Sequence, residues 1–228
     1  MSNLKILIAD DHDLVRKGLR MLIEEHPGWT VCAEARSGRE AVEQATQTSP
    51  DIVVIDVSMP DLNGLEATRL LRKQCPKAEV LVITHHDSDE MAAEVLSAGA
   101  RGYILKSDSD QELAHAVDAL SRHRPYFTAR VTEMFLANRA RGTANQAESI
   151  RKRLTAREVE ILQLLAEGKT AKEVAAALGI ATKTSDTHRT NIMRKLDLHS
   201  IAELVRYAIR NKIVEPRKIH KGFTRFTS

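Results

Sequence analysis

The chain has 228 residues, 43% of them apolar and 29% charged, an ordinary globular composition with no apolar run near the roughly 20 residues of a membrane span. Its net charge of +3 conceals a division: residues 1–121 hold 12 Lys/Arg against 21 Asp/Glu, or −9, while residues 122–228 hold 22 against 10, or +12. An acidic half joined to a basic half points to two domains with different partners, the basic one being the candidate for nucleic acid. Cys32 and Cys75 are a lone pair, expected as buried small hydrophobes in a reducing cytoplasm and not as a disulfide. The N-terminus runs straight into a strand pattern, so no signal peptide is expected.

Residues 1–121 alternate short apolar strands with amphipathic helices. Strands are predicted at Lys5–Ala9, Thr30–Glu34, Asp51–Ile55, Glu79–Thr84 and Gly102–Leu105. Helices are predicted near Leu14–Glu25, Gly38–Gln47, Gly64–Gln74, Asp89–Ser97 and Asp110–Ser121. Five βα units in this order give a doubly wound parallel sheet in an α/β domain. Ser37 with Glu40 has capping-box spacing, and Asn63 can cap ahead of Glu66.

The polar residues that end the strands carry the chemistry. Asp10 and Asp11 follow the first strand, Asp56 the third, Thr84 ends the fourth and Lys106 follows the fifth. A parallel sheet gathers these groups at one edge. Three carboxylates there repel one another and call for a hard cation, and oxygen ligands suit Mg²⁺. With a metal and Lys106 to neutralise phosphoryl oxygens, Asp56 becomes a candidate nucleophile for accepting a phosphoryl group.

The set Asp10-Asp11, Asp56-x-x-Met59-Pro60-x-x-x-Gly64, Thr84 and Lys106 resembles the receiver domain of two-component response regulators over about residues 4–121. The resemblance implies a flavodoxin-like sheet and transfer of phosphate to Asp56 from a sensor histidine kinase. It implies Mg²⁺ held by Asp11, Asp56 and the Ser58 backbone carbonyl, with Asp10 assisting. It also implies a switch pair, Thr84 and Tyr103, in which the hydroxyl meets the phosphate and the ring turns inward. His85 and His86 stand where the family often has smaller or apolar residues. Ser58 and His86 lie where the family tunes phosphate lifetime.

Residues 122–153 read as a linker, with a turn at HRPYF and a short helix over Thr128–Ala140. Residues 154–213 are helical by pattern: Ala156–Ala166, Ala171–Leu178, Lys183–Leu196 and Ile201–Asn211. Thr155 with Glu158, Thr170 with Glu173 and Ser200 with Glu203 have capping-box spacing, and Gly168 and Gly179 sit at helix C-cap positions. The short turn GIAT joins the second and third helices as in a helix-turn-helix. Ser185, His188, Ile192 and Leu196 share one side of the third helix, and Lys183, Thr187, Thr190 and Arg194 an exposed one. The tail 214–228 is basic and expected to be mobile.

This four-helix all-α region resembles the LuxR/NarL-type DNA-binding domain over residues 153–213. The resemblance makes Lys183–Leu196 the recognition helix, with Lys183, Thr184, Asp186, Thr187, Arg189, Thr190 and Arg194 as its DNA-facing set. It makes Ile201, Leu204, Val205, Ala208 and Ile209 a dimer seam, while the residues themselves equally allow packing within the domain. Ser185 stands where the family usually has a buried Val, which should weaken packing. Asp186 stands where a contacting Lys is common.

The chain therefore reads as a cytoplasmic, phosphorylation-dependent transcriptional regulator that binds double-stranded DNA as a homodimer. It is expected not to be an enzyme beyond accepting, and slowly losing, its own phosphoryl group. One rival is a regulator that ignores phosphorylation. Another is a Mg²⁺ phosphatase of the haloacid dehalogenase type, which would need a second Asp two residues after the nucleophile, where this chain has Ser58.

Overall fold

A computed structural model describes residues 3–85, 88–108, 110–129, 132–133, 154–211 and 213–214. The chain divides into two compact units, Met1–Asn145 and Gln146–Ser228. Among the described residues no helix is long and apolar enough to cross a membrane.

The first unit is built on strands β1 (Leu4–Ala9), β2 (Trp29–Ala35), β3 (Ile52–Asp56), β4 (Glu79–Thr84), β5 (Gly102–Leu105) and β6 (Tyr126–Phe127). All pair in parallel, in the order β2-β1-β3-β4-β5-β6. Helices α1 (Asp13–Glu24), α2 (Gly38–Thr48), α3 (Gly64–Gln74), α4 (Asp89–Ala98) and α5 (Asp110–Ser121) cover both faces. Strand side chains alternate between the faces, so each strand feeds two cores. Leu7, Val53, Ile55, Val80 and Val82 pack with α2, α3 and α4 residues such as Ala41, Leu71 and Met91. Ile6, Ile8, Val54, Leu81 and Ile83 pack with Leu19 and Ile23 of α1 and Leu113 and Val117 of α5.

The sheet has six strands, not the five expected. Tyr126 and Phe127, read from sequence as part of a turn and linker, pair with Gly102 and Tyr103. Two residues are too few for a periodic signal. What holds them is tertiary: Tyr126 packs on one core and hydrogen-bonds Glu112 of α5, while Phe127 packs on the other. The expected helix Thr128–Ala140 lies outside the described residues beyond its first turn, where Thr132 N donates to the Thr128 carbonyl at 2.8 Å. His86 and the tail past residue 214 lie outside them as well. Cys32 and Cys75 are free, as expected, but half-buried, not buried.

The second unit contains α6 (Ala156–Ala166), α7 (Ala171–Leu178), α8 (Thr182–Leu196) and α9 (Ile201–Arg210). Both expected capping boxes at Thr155/Glu158 and Thr170/Glu173 form in full. At Ser200 the hydroxyl accepts from Glu203 N, but the Glu203 carboxylate turns to His199 N at 2.7 Å, one residue outside the cap. Gly179 closes α7 with φ of 62°, where a side chain would be strained, and so lets the chain turn sharply into α8. One core joins Ile161, Leu162, Leu164, Val174, Ile192, Leu196, Leu204 and Ala208.

Candidate functional site

The strand order reverses direction at β1 and β3, and in open parallel sheets the ligand crevice lies beyond the C-terminal strand ends at such a point. Asp56 is the last residue of β3 and only 3% exposed; Asp10, one residue past β1, is 0% exposed. A buried carboxylate needs a cation or donors. Lys106 supplies the cation to both: its Nζ lies 2.5 Å from Asp10 Oδ2 and 3.3 Å from Asp56 Oδ2. Burial works against the lysine charge, but Asp56 and Asp10 outweigh it and hold its pKa above the ordinary value. The turn after Lys106 is fixed by Asp108, which accepts from Leu105 N at 2.7 Å.

The β3–α3 loop closes tightly over Asp56. Gly64 N donates to the Val57 carbonyl at 2.8 Å, and a Cβ on Gly64 would stand 2.0 Å from the Asp56 carbonyl oxygen. Asn63 caps α3 by accepting from Glu66 N at 2.9 Å. Half-buried Ser58 lies in this loop, and Met59 is buried beneath it. Thr84 ends β4, fully buried, and its carbonyl accepts from Lys106 N at 2.8 Å. Tyr103 is fully buried on β5, so its ring is already in the inward position, and burial followed by the Asp108 charge pushes its phenol well up.

Part of the expected metal set is gathered here, with one further donor beside it. Asp10, Asp11 and His12 offer ligand atoms that all lie within 4.8 Å of one another; Asp56 is tied to the group through Lys106. The His12 ring nitrogen Nδ1 lies 3.2 Å from Asp10 and 3.1 Å from Asp11. Two adjacent carboxylates, one wholly buried, fit a hard divalent cation in donor chemistry. Sequence reasoning missed His12, whose only signal was its adjacency to the acidic pair. It also missed Arg16, which donates to the Asp10 backbone carbonyl at 2.8 Å. The signal there was a charge in the buried stripe of α1, beside Leu19 and Ile23.

In the second unit, α8 is held from behind. Ile192 and Leu196 are buried in the core, and Lys195 reaches both Glu158 oxygens of α6 at 2.7 and 2.8 Å. Arg157 of α6 donates to the Leu178 carbonyl at 2.7 Å and so fixes the end of α7. All seven expected DNA-facing residues, Lys183, Thr184, Asp186, Thr187, Arg189, Thr190 and Arg194, are exposed. The Thr187 and Thr190 hydroxyls donate to the Lys183 and Asp186 carbonyls of their own helix, so toward a ligand they offer lone pairs and methyl groups. Asp186 lies beyond the first turn of α8, where a helix dipole has largely faded. Ser185 is fully buried and its hydroxyl has no hydrogen-bond partner among the described residues.

The expected dimer seam needs correction. Leu204 and Ala208 are 0% exposed, so these two side chains are used inside the unit. The apolar stripe of α9 is the face that joins it to α6. Ile201, at 40% exposure, and half-buried Val205 and Ile209 remain reachable.

Comparison with known proteins agrees with this geometry. Residues 6–118 match the response regulator receiver domain, and residues 152–208 match the bacterial regulatory proteins of the luxR family. The oxygen regulatory protein NreC of Staphylococcus aureus (strain MRSA252) is 38% identical over 217 residues, which span 93% of this chain and all of that one. A crystal structure of a LuxR-family two-component response regulator from Aurantimonas sp. SI85-9A1 shares 37% identity, covers 61% of this chain and 99% of its own, and superposes with a TM-score of 0.59. The RcsB response regulator of Salmonella typhimurium, studied for its conformational dynamism in DNA interaction, shares 25% identity over 91% of this chain and 98% of its own, with a TM-score of 0.58.

Proposed function

Since the chain belongs to the two-component response regulators that join a receiver to a LuxR-family DNA-binding domain, we propose that Asp56 is its phosphoacceptor and that phosphorylation controls DNA binding. The observation that carries this is Lys106, whose ammonium bridges Asp10 and Asp56 at the C-terminal strand edge. The donor is the phosphohistidine of a sensor kinase: an Asp56 oxygen bonds to phosphorus as the bond from phosphorus to imidazole nitrogen breaks. Asp11, Asp56 and the Ser58 carbonyl would hold Mg²⁺, with Asp10 assisting. Mg²⁺, when bound, neutralises charge on the phosphoryl oxygens. Lys106 does the same, and the Thr84 hydroxyl would donate to the new phosphoryl group. Ser58 stands where a phosphatase of the haloacid dehalogenase type has its general acid, so the protein turns over no external phosphoester.

Phosphorylation stabilises, through the Thr84 hydroxyl, the receiver conformation in which the Tyr103 ring is held inward, as it stands here. That conformation dimerises and sets two DNA-binding units at high effective concentration, which raises affinity without new base contacts. The exposed polar face of α8 enters the major groove of cytoplasmic double-stranded DNA. Support comes from the exposure of all seven side chains and from a similar protein, RcsB, solved as a DNA complex at 25% identity to this chain. The test is selection of bound duplexes from a random library, with and without an acyl phosphate and Mg²⁺. Enrichment that requires phosphodonor and is lost in Asp56→Asn is expected. Equal enrichment without phosphodonor would favour a regulator that ignores phosphorylation.

A further inference from the structure

Arg16 touches none of the reacting groups, yet its side chain is only 5% exposed in α1. Burying a guanidinium is costly, and a well-packed apolar residue often serves stability as well or better. What the buried fork holds in place is therefore the point of interest. All three nitrogens are engaged: Nη1 donates to the Asp10 carbonyl at 2.8 Å, Nε to Glu34 at 3.3 Å, and Nη2 to Asp13. Glu34 on β2 is held in turn by Arg20 at 2.7 Å. One planar group thus ties the end of β1 to the first turn of α1 and to the neighbouring strand.

The carbonyl that Arg16 grips belongs to the peptide joining Asp10 to Asp11. Fixing that peptide plane fixes where both carboxylates begin. Asp10 N donates to the Ala35 carbonyl at 3.1 Å, and His12 N donates to Asp10 Oδ1 at 2.8 Å, so the turn is pinned on either side of the same peptide. We propose that Arg16 is a positioning residue for the acidic pair: it orients the Asp10–Asp11 peptide so that both carboxylates face one divalent cation. This rests on reading the pair as the Mg²⁺ site.

The test is Mg²⁺ affinity of the full chain by titration calorimetry, with a thermal melt alongside, for wild type, Arg16→Gln and Arg16→Lys. The sign of the change separates the explanations. Acting only as a charge, Arg16 would repel the cation, so Arg16→Gln would tighten binding. As a positioning residue, its loss loosens binding, by roughly 10-fold if it behaves like other partners that orient metal ligands. Arg16→Lys keeps the charge but replaces the fork with a point donor; it should bind more weakly than wild type and more tightly than Arg16→Gln. Lower thermal stability with unchanged affinity, or tighter binding, would overturn the proposal. If Arg16→Gln does not fold, Arg16→Lys decides, and unchanged affinity there overturns it. Failure of the underlying reading is distinct: wild type would bind no Mg²⁺, and Asp11→Ala would change nothing.

Discussion

The two units present their functional residues in opposite ways. In the receiver, Asp10, Asp56, Thr84, Tyr103 and the Lys106 side chain are all buried or nearly so. In the C-terminal unit, every expected DNA-facing side chain of α8 is exposed. The difference follows from the ligand. A phosphoryl group is small, and charges act on it most strongly where water is excluded. A DNA groove is a large external surface that side chains must reach out to meet. Function and stability should therefore be coupled in the receiver and separable in α8.

The largest effect that would sharpen this contrast is expected at Gly64. A methyl there collides with the Asp56 backbone, which cannot rotate away. Gly64→Ala should cost about 3 kcal/mol in urea unfolding and should impair phosphorylation as well. Near-native stability with normal phosphorylation would mean that the loop is far more pliable than it looks.

A smaller effect is expected at the support of α8. Burial raises the Glu158 pKa, but Lys195 and the Thr155 cap outweigh it and hold the carboxyl below its ordinary value of 4.5. A depressed folded pKa contributes stability that is present above about pH 4.5 and lost as pH falls through the folded value. Glu158→Gln should therefore cost about 1–2 kcal/mol at neutral pH, and the two stability curves should converge in acid. Parallel curves would show that the pair is not the source.

Ser185 is the next in size. Its buried hydroxyl, without a partner among the described residues, costs desolvation with nothing in return. Ser185→Ala should raise the melting temperature of the C-terminal unit, corresponding to about 1 kcal/mol, with DNA binding kept. A fall in stability would show that the hydroxyl has a partner. The smallest stability effect, within about 0.5 kcal/mol, belongs to exposed Asp186→Lys. That change should instead tighten binding to random duplexes and steepen its salt dependence by about one unit, as one phosphate contact is gained. It should also relax preference at one base pair of each half-site. An unchanged salt slope and preference would place Asp186 away from the DNA.

What could be read from sequence divides along physical lines. The places of Asp56 and Lys106 were legible because an apolar run that ends in a charge reads as a buried strand whose end meets a partner; Asp56 alone could equally have capped a turn, and only the whole set of strand-end residues pointed to a site. The helix caps were legible because Thr155/Glu158 and Thr170/Glu173 are local chemistry. Tyr126–Phe127 was not, because a two-residue strand exists only through its neighbours. The stripe of α9 was misassigned because periodicity shows that Leu204 and Ala208 are covered, not what covers them. Arg16 and His12 act through contacts with the Asp10 backbone and the paired carboxylates, which spacing does not encode.

Receipt of phosphate at the buried carboxylate beside Lys106 can be tested directly. Wild type and Asp56→Asn should be incubated with a small acyl phosphate and Mg²⁺, and the adduct located by tandem mass spectrometry. One phosphoryl group on Asp56 in wild type and none in the variant is expected. Equal labelling of Asp56→Asn, or an adduct on Asp10 or Asp11, would contradict it.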